Sequence, residues 1–196
     1  MRVLAFIDYD NVRVAPERTA LDVALNLTEL LDRLTDSVGA AFPAATEIDA
    51  RLYGGWVGED GRYSRLAEWT FGALHQLRGR RNGIRLRPQM VISAACQPRD
   101  VLIGTVRLLS RPKRQKMVDG LLTIDALHLS DEEADFLLVS DDDDFVPAAM
   151  ALRSATARSC FILRLRGPGQ GLNDVTLSRN GIGLATLRIQ QPEGGP

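Results

Sequence analysis

The sequence predicts an α/β fold, a mostly parallel sheet with helices packed against it. Three observations carry that prediction. Short apolar runs rich in strand formers recur, such as Val3-Leu4-Ala5-Phe6-Ile7 and Phe136-Leu137-Leu138-Val139, and unbroken apolar runs mark strands buried on both faces. Segments with helical apolar spacing separate them, and alternation of strand with helix is the pattern of parallel crossovers. Both quoted runs also break directly into acids: Asp8-Tyr9-Asp10-Asn11 after the first, Ser140-Asp141-Asp142-Asp143-Asp144-Phe145 after the second. Open α/β sheets bind ligands at the carboxyl ends of their strands.

In chain order, a first strand covers about 2–8. A helix follows at about 19–36, with Leu21, Leu25, Leu27, Leu30, Leu31 and Leu34 at helical spacing and Gly39 and Pro43 as breakers. The second strand is about 47–53, closed by a Gly54-Gly55 turn. A helix at about 63–77 carries Leu66, Trp69, Phe71, Leu74 and Leu77, and a third strand spans about 84–92. Residues 93–115 read as irregular, punctuated by Pro98 and Pro112. Then come a helix at about 117–130, a strand at 136–140, a helix at about 146–157 and a fifth strand at about 159–165. Gly167-Pro168-Gly169-Gln170-Gly171 reads as a loop, and a last short strand falls near 184–189. The prediction is a sheet of about five strands, one domain over 1–190, and a tail at 191–196 that frays.

At 196 residues the chain can bury a full core as one domain. Its hydrophobic content of 45% and net charge of −1 are those of an ordinary globular protein, so overall charge selects no partner. The two cysteines, Cys96 and Cys160, have no metal-type spacing, which makes a reducing cytoplasm the default location. The apolar start is short and ended by Asp8, a strand rather than a signal peptide. No run approaches membrane-spanning length, so no membrane partner is expected.

Charge is concentrated locally. Two like charges about 4 Å apart repel by roughly 1 kcal/mol in water and roughly 4 at an effective dielectric near 20. An acidic knot is tolerated where a cation sits or where the loop is fully solvated, and hard cations such as Mg²⁺ take oxygen ligands. Asp119 adds a third acidic signal. It shares a helical stripe with Leu122, Ala126 and Leu129 and is expected to point inward at the first turn of its helix; the plain alternative is an acid favoured by the helix dipole. Lys116 lies one turn earlier. From Arg78 to Lys116 the chain has Arg78, Arg80, Arg81, Arg85, Arg87, Arg99, Arg107, Arg111, Lys113, Arg114 and Lys116 against one acid, Asp100. Such a stretch is the electrostatic footprint of a phosphate-backbone contact, most of all at Arg111, Lys113 and Arg114. Tyr53, Trp56 and Tyr63 flank the glycine turn and are candidates for base stacking, against the plainer role of anchors. His75 and His128 fall in helices and are read as structural or surface residues.

These motifs resemble a family. Phe6-Ile7-Asp8-Tyr9-Asp10-Asn11 looks like the apolar–Asp–x–x–Asn opening of NYN domains, a branch of the PIN-like nucleases. Lys116-Met117-Val118-Asp119 looks like their Lys–x–x–Asp helix start. Ser140-Asp141-Asp142-Asp143-Asp144-Phe145 looks like their Ser–x–Asp–x–Asp–Phe segment. The three occur in the family's order. The resemblance implies a three-layer α/β/α fold and metal-dependent cleavage of RNA. By position it implies an acidic cluster of Asp8, Asp119, Asp142 and Asp144 holding Mg²⁺ or Mn²⁺, with Asn11 orienting the first carboxylate or touching substrate, and Ser140 bracing the loop. Asp141 and Asp143 depart from the family pattern and leave the ligand assignment in the loop open. Alternation along an extended stretch favours the even pair. PIN-like domains often pair, which leaves a homodimer open.

Two other readings compete. Asp8-Tyr9-Asp10-Asn11-Val12 also fits the Asp-x-Asp-x-Thr/Val motif of haloacid dehalogenase-type phosphatases, with Asp8 as nucleophile and Asp10 as general acid. Alternatively, an NYN-like domain can hold RNA or a protein without cutting it.

Overall fold

The computed structural model describes residues 1–13, 15–58, 60–92, 117–165 and 173–187. Seven strands form one sheet: β1 (Arg2–Asp8), β2 (Glu47–Tyr53), β3 (Gly79–Arg81), β4 (Ile84–Met90), β5 (Asp135–Val139), β6 (Cys160–Arg164) and β7 (Gly183–Thr186). Their order is β3-β4-β2-β1-β5-β6-β7. Every neighbouring pair is parallel except β3 and β4. The described helices are α1 (Tyr9–Val12), α2 (Ala20–Ala41), α3 (Arg65–Gln76), α4 (Val118–His128), α5 (Val146–Ala155) and α6 (Asp174–Arg179). None of the described helices is long and apolar enough to cross a membrane.

Alternation along the central strand builds the layers. Val3, Ala5 and Ile7 pack with the inward residues of α2 and α3, while Leu4 and Phe6 pack with those of α4, α5 and α6. Because both faces of β1 and β5 are covered, these strands are apolar from Val3 to Ile7 and from Phe136 to Val139, which is why they stand out in the sequence. The result is the three-layer α/β/α arrangement that the resemblance implies.

The sheet has seven strands rather than about five. The extra hairpin strand β3 is three residues long, too short for a period to register, and turns through Asn82 and Gly83, both at positive φ. Helix α6 and the one-turn α1 are likewise shorter than periodicity can detect. The first long helix also outruns its predicted end. Thr19 and Asp22 form a capping box at its start, and it passes through Gly39 to Ala41. A glycine costs only about 1 kcal/mol in a helix, so the stop is set at Phe42, which precedes Pro43 and is therefore disfavoured in the α conformation. Leu21 and Leu25 are exposed; the buried stripe is Val23, Leu27, Leu30, Leu31, Leu34 and Val38, on the opposite side. Residues 93–116, 166–172 and 188–196 lie outside the described residues, and with them the predicted irregular stretch, the predicted loop at 167–171 and the predicted tail.

Strand β7 closes one edge through an unusually intimate contact. Gly183 pairs with Phe161, and a Cβ added at Gly183 would fall inside the envelope of the Phe161 ring. Phe161 is in turn edge-on to Phe42, with centroids 4.8 Å apart. Overpacking of this kind costs about 1–3 kcal/mol. Gly183→Ala is expected to lower unfolding stability by that amount in a urea titration. Adding Phe161→Leu should return part of the loss, whereas additive losses would contradict the packing argument.

Candidate active site at the carboxyl edge of the sheet

From β1 the chain winds outward to β2 and β4; from β5 it winds the other way to β6 and β7. The sheet therefore reverses direction between β1 and β5, and a crevice opens at the carboxyl ends of these two strands, the usual binding position in such sheets. Asp8 ends β1, and Ser140 follows β5. The register places Ile7 beside Val139, so the two acidic motifs, over 130 residues apart in sequence, meet at this crevice.

Ser140 is the hinge between them. Its hydroxyl donates to Asp8 Oδ2 at 2.8 Å and accepts from the Asp142 amide at 3.0 Å. Asn11 Nδ2 also donates to Asp8 Oδ2. The Asp142 carboxylate then accepts from the Asp144 amide at 2.9 Å, capping the short 3-10 turn Asp143–Phe145. Asp8 is 2% exposed. Burial pushes its carboxyl pKa up; the hydrogen bonds from Asn11 and Ser140 oppose this, while the charges of Asp119 and Asp10 add to it. Among the described residues, the charges acting on Asp8, those of Asp119 and Asp10, are negative.

The odd acids of the loop face away from Asp8. Asp141 accepts from the Leu165 amide at 2.8 Å, and Arg164 reaches the Asp141 carbonyl at 3.3 Å and the Asp143 carboxylate at 2.8 Å. Arg164 is 1% exposed and lies 2.9 Å from Asp174 Oδ1, an ion pair too oblique to count as a hydrogen bond. One buried cation thus faces two carboxylates. Asp144 is exposed, and its side chain makes no hydrogen bond or ion pair among the described residues.

Asp119 does not point into the core as its stripe predicts; it is exposed. Helix α4 runs antiparallel to the strands, so its first turn projects past the carboxyl edge, and only Leu121, Leu122, Asp125 and Ala126 reach the sheet. Asp119 still acts electrostatically on Asp8. Helix α4 is pinned by a buried network invisible to the sequence reading. Arg51 and the Tyr53 hydroxyl both donate to Asp125 Oδ2, at 2.6 and 2.8 Å, and Arg51 Nε donates to the Tyr53 oxygen at 2.9 Å.

Two of the three aromatic candidates are anchors. Tyr53 is buried in that network. Trp56 is buried against Tyr9 with centroids 5.7 Å apart, its Nε1 donating to the Val91 carbonyl at 3.0 Å. Only Tyr63 is exposed. Asp10 accepts from the Gly55 amide at 2.7 Å and lies 3.4 Å from Arg13, tying the glycine turn to α1. His75 and His128 are exposed on helix ends. Lys116, Arg111, Lys113 and Arg114 lie outside the described residues. Of the other predicted cations, Arg78, Arg80, Arg85 and Arg87 are exposed on the β3–β4 side, where Arg80 sits directly opposite Arg85. Like charges so placed repel, and only Arg87 has an acidic partner among the described residues, Glu47 at 3.0 Å.

Among the described residues no group of three or more histidines, cysteines or acids is gathered closely enough to hold a metal ion by itself. The donor chemistry nevertheless suits a hard divalent cation: the groups are oxygen donors, and Asp8 is buried without a counter-cation among the described residues. Both its protein donors bind Oδ2. Mg²⁺ is commonly held by one or two carboxylates, waters and substrate phosphates rather than by an all-protein cage.

Sequence reasoning missed Arg164, Asp174, Arg51 and Asp125. The available signal was a charge inside an apolar segment: Arg164 ends Phe161-Ile162-Leu163 and Asp125 interrupts Ile124 and Ala126. Buried charges require partners, but the sequence does not say which.

Comparison with family models matches residues 2–169 to the NYN domain. No curated protein and no solved structure matches the chain. The matched span ends before α6 and β7.

Two consequences are measurable. Because the folded-state pKa of Asp8 is raised, its contribution to stability is fully present below the unfolded pKa and lost as pH rises through the folded value. In metal-free buffer, Asp8→Asn should therefore melt higher than wild type at neutral pH, with the gap closing as pH falls below the carboxylate range. A gap independent of pH would contradict the burial argument. Arg164→Met removes the buried cation that faces Asp143 and Asp174 and should cost about 3–5 kcal/mol in denaturant unfolding; Arg164→Met with Asp174→Asn should recover part of it.

Proposed function

The chain belongs to the NYN domain family, a branch of the PIN-like nucleases, and from that premise we propose that it is a ribonuclease that hydrolyses RNA phosphodiester bonds with Mg²⁺ or Mn²⁺ at the crevice between β1 and β5. The observation that carries this reading is Asp8: a buried carboxylate at the switch point, bonded through Ser140 to the acidic loop, with no cation beside it among the described residues. Leaving such a group charged is costly, and a divalent ion at the crevice removes the cost.

In this reading Asp8 is the innermost ligand, with Asp142, Asp144 and Asp119 as the remaining ligands around the crevice. Asn11 and Ser140 fix the Asp8 carboxylate through Oδ2. Arg164 neutralises the odd side of the loop, so its excess charge does not repel the phosphate as strongly. When bound, the metal supplies a water of lowered pKa and neutralises charge on the phosphoryl oxygens. Lys116, Arg111, Lys113 and Arg114 are proposed to receive the backbone; the exposed arginines of β3 and β4 lie level with the start of β1, at the opposite end of the sheet from the crevice. The phosphatase reading loses support, because Asp10 is engaged with Gly55 and Arg13 and the family match lies elsewhere. The looser spacing of the carboxylates favours, as the second reading, a module that holds RNA without cutting it.

The test is cleavage of labelled single-stranded RNA in Mn²⁺, Mg²⁺ or EDTA. Wild type should cut only with metal, and Asp8→Asn and Asp144→Asn should each lose about 100-fold or more. RNA bound but uncut by wild type in every metal would establish the second reading instead.

A further inference from the structure

A further cavity lies away from the acidic edge. It is a groove of about 890 Å³ between the end of α5, the starts of β6 and β7, and α6. Its origin is physical. Helix α6 has six residues against ten in α5, so it covers the last strands incompletely, and Gly183 contributes no side chain because Phe161 fills that space. Arg153 and Arg158 stand on one wall and Arg179 on the other, all exposed. None of the three is ion-paired among the described residues. Arg153 lies across Gly181, whose φ of +72° brings the backbone close beneath the guanidinium, 3.3 Å from an added Cβ to Nε. The only acid lining the groove is Asp174, which is buried and faces Arg164. Between the cations the wall is apolar, with Val175 59% exposed and Leu184 beside it.

We propose that this groove is a second contact for single-stranded RNA, in which Arg153, Arg158 and Arg179 bind backbone phosphates and the apolar wall takes bases. The proposal rests on the RNA reading above but not on cleavage. A row of cations alternating with apolar surface is complementary to a strand that carries a charge and a flat base at each step. An acidic peptide would satisfy the cations but would leave the apolar wall without a matched partner. One wall of the groove, from Arg153 to Phe161, lies within the span that matches the family, and the other, from Asp174 to Leu184, lies beyond it. Its inner end is Asp174, whose partner Arg164 also holds Asp143. Material bound here therefore lies on the same support as the acidic loop.

The test measures binding of a labelled single-stranded oligoribonucleotide by fluorescence anisotropy in EDTA, where nothing is cut, over a range of salt. Arg153→Gln, Arg158→Gln and Arg179→Gln combined should weaken binding about tenfold or more and lower the salt slope by about 2, three phosphate contacts at about 0.7 each. Arg158→Gln with Arg179→Gln, which leaves the Arg153 packing intact, should give about two thirds of that slope change. Photo-crosslinking with thiouridine-substituted RNA should label residues of α6 and β7. Metal-dependent cleavage of a substrate too short to leave the acidic edge should be unchanged in the triple variant. Wild-type affinity and slope in the triple variant, crosslinks absent from α6 and β7, or no RNA binding by wild type would each overturn the proposal. Binding as predicted by a protein that never cuts RNA would sustain it while refuting the nuclease reading.

Discussion

A buried negative charge that no cation among the described residues answers is the constraint on which the rest depends. Asp8 must sit at the end of β1 because that strand runs through the centre of the sheet, covered on both faces. It is desolvated for the same reason. Water cannot solvate it freely, and the nearest charges acting on it, Asp119 and Asp10, share its sign. The two hydrogen bonds from Asn11 and Ser140 offset only part of the burial cost, and the upward shift of its pKa reports the remainder. A fold that places a carboxylate in this position holds a region of negative potential open to the crevice.

The rest of the edge can be understood as management of that charge. The loop after β5 brings four consecutive aspartates to the same place, which would be untenable if all four pointed together. Arg164 divides them. By reaching the Asp141 carbonyl and the Asp143 carboxylate while paired with Asp174, it turns the odd members towards β6 and leaves Asp142 and Asp144 on the other side. The Arg51–Tyr53–Asp125 network performs a comparable task for α4, fixing the helix whose first turn carries Asp119. Each of these anchors spans distant parts of the sequence, as an edge assembled from several strand ends requires.

That also explains what could be read without coordinates. Strands β1 and β5 were legible because burial on both faces leaves little room for polar residues from Val3 to Ile7 and from Phe136 to Val139, and the predicted bounds of β1 and β2 match the observed ones closely. The acids were legible because they interrupt those runs. The short β3, α1 and α6 were not, since elements of three to six residues are held by their neighbours rather than by their own pattern. Asp119 was misread because a helical stripe gives a direction around the axis and not a position along it; its turn lies past the sheet. Tyr53 and Trp56, candidates for stacking against the plainer role of anchors, are the anchors: both are buried and hydrogen-bonded beside the glycine turn. Arg164 stood in plain sight at the end of a strand, but its three partners come from the loop after β5 and from α6.

The central claim is that this charge is there to hold a divalent cation together with RNA phosphate. Its most direct test is a titration of Mn²⁺, followed by electron paramagnetic resonance, with and without an RNA that resists cleavage. Wild type should bind Mn²⁺ weakly alone and more tightly with RNA, because the protein supplies too few clustered carboxylates to complete the coordination unaided. Asp8→Asn should abolish that RNA-dependent gain. Mn²⁺ binding that ignores both the RNA and the loss of Asp8, or no binding under either condition, would contradict the account.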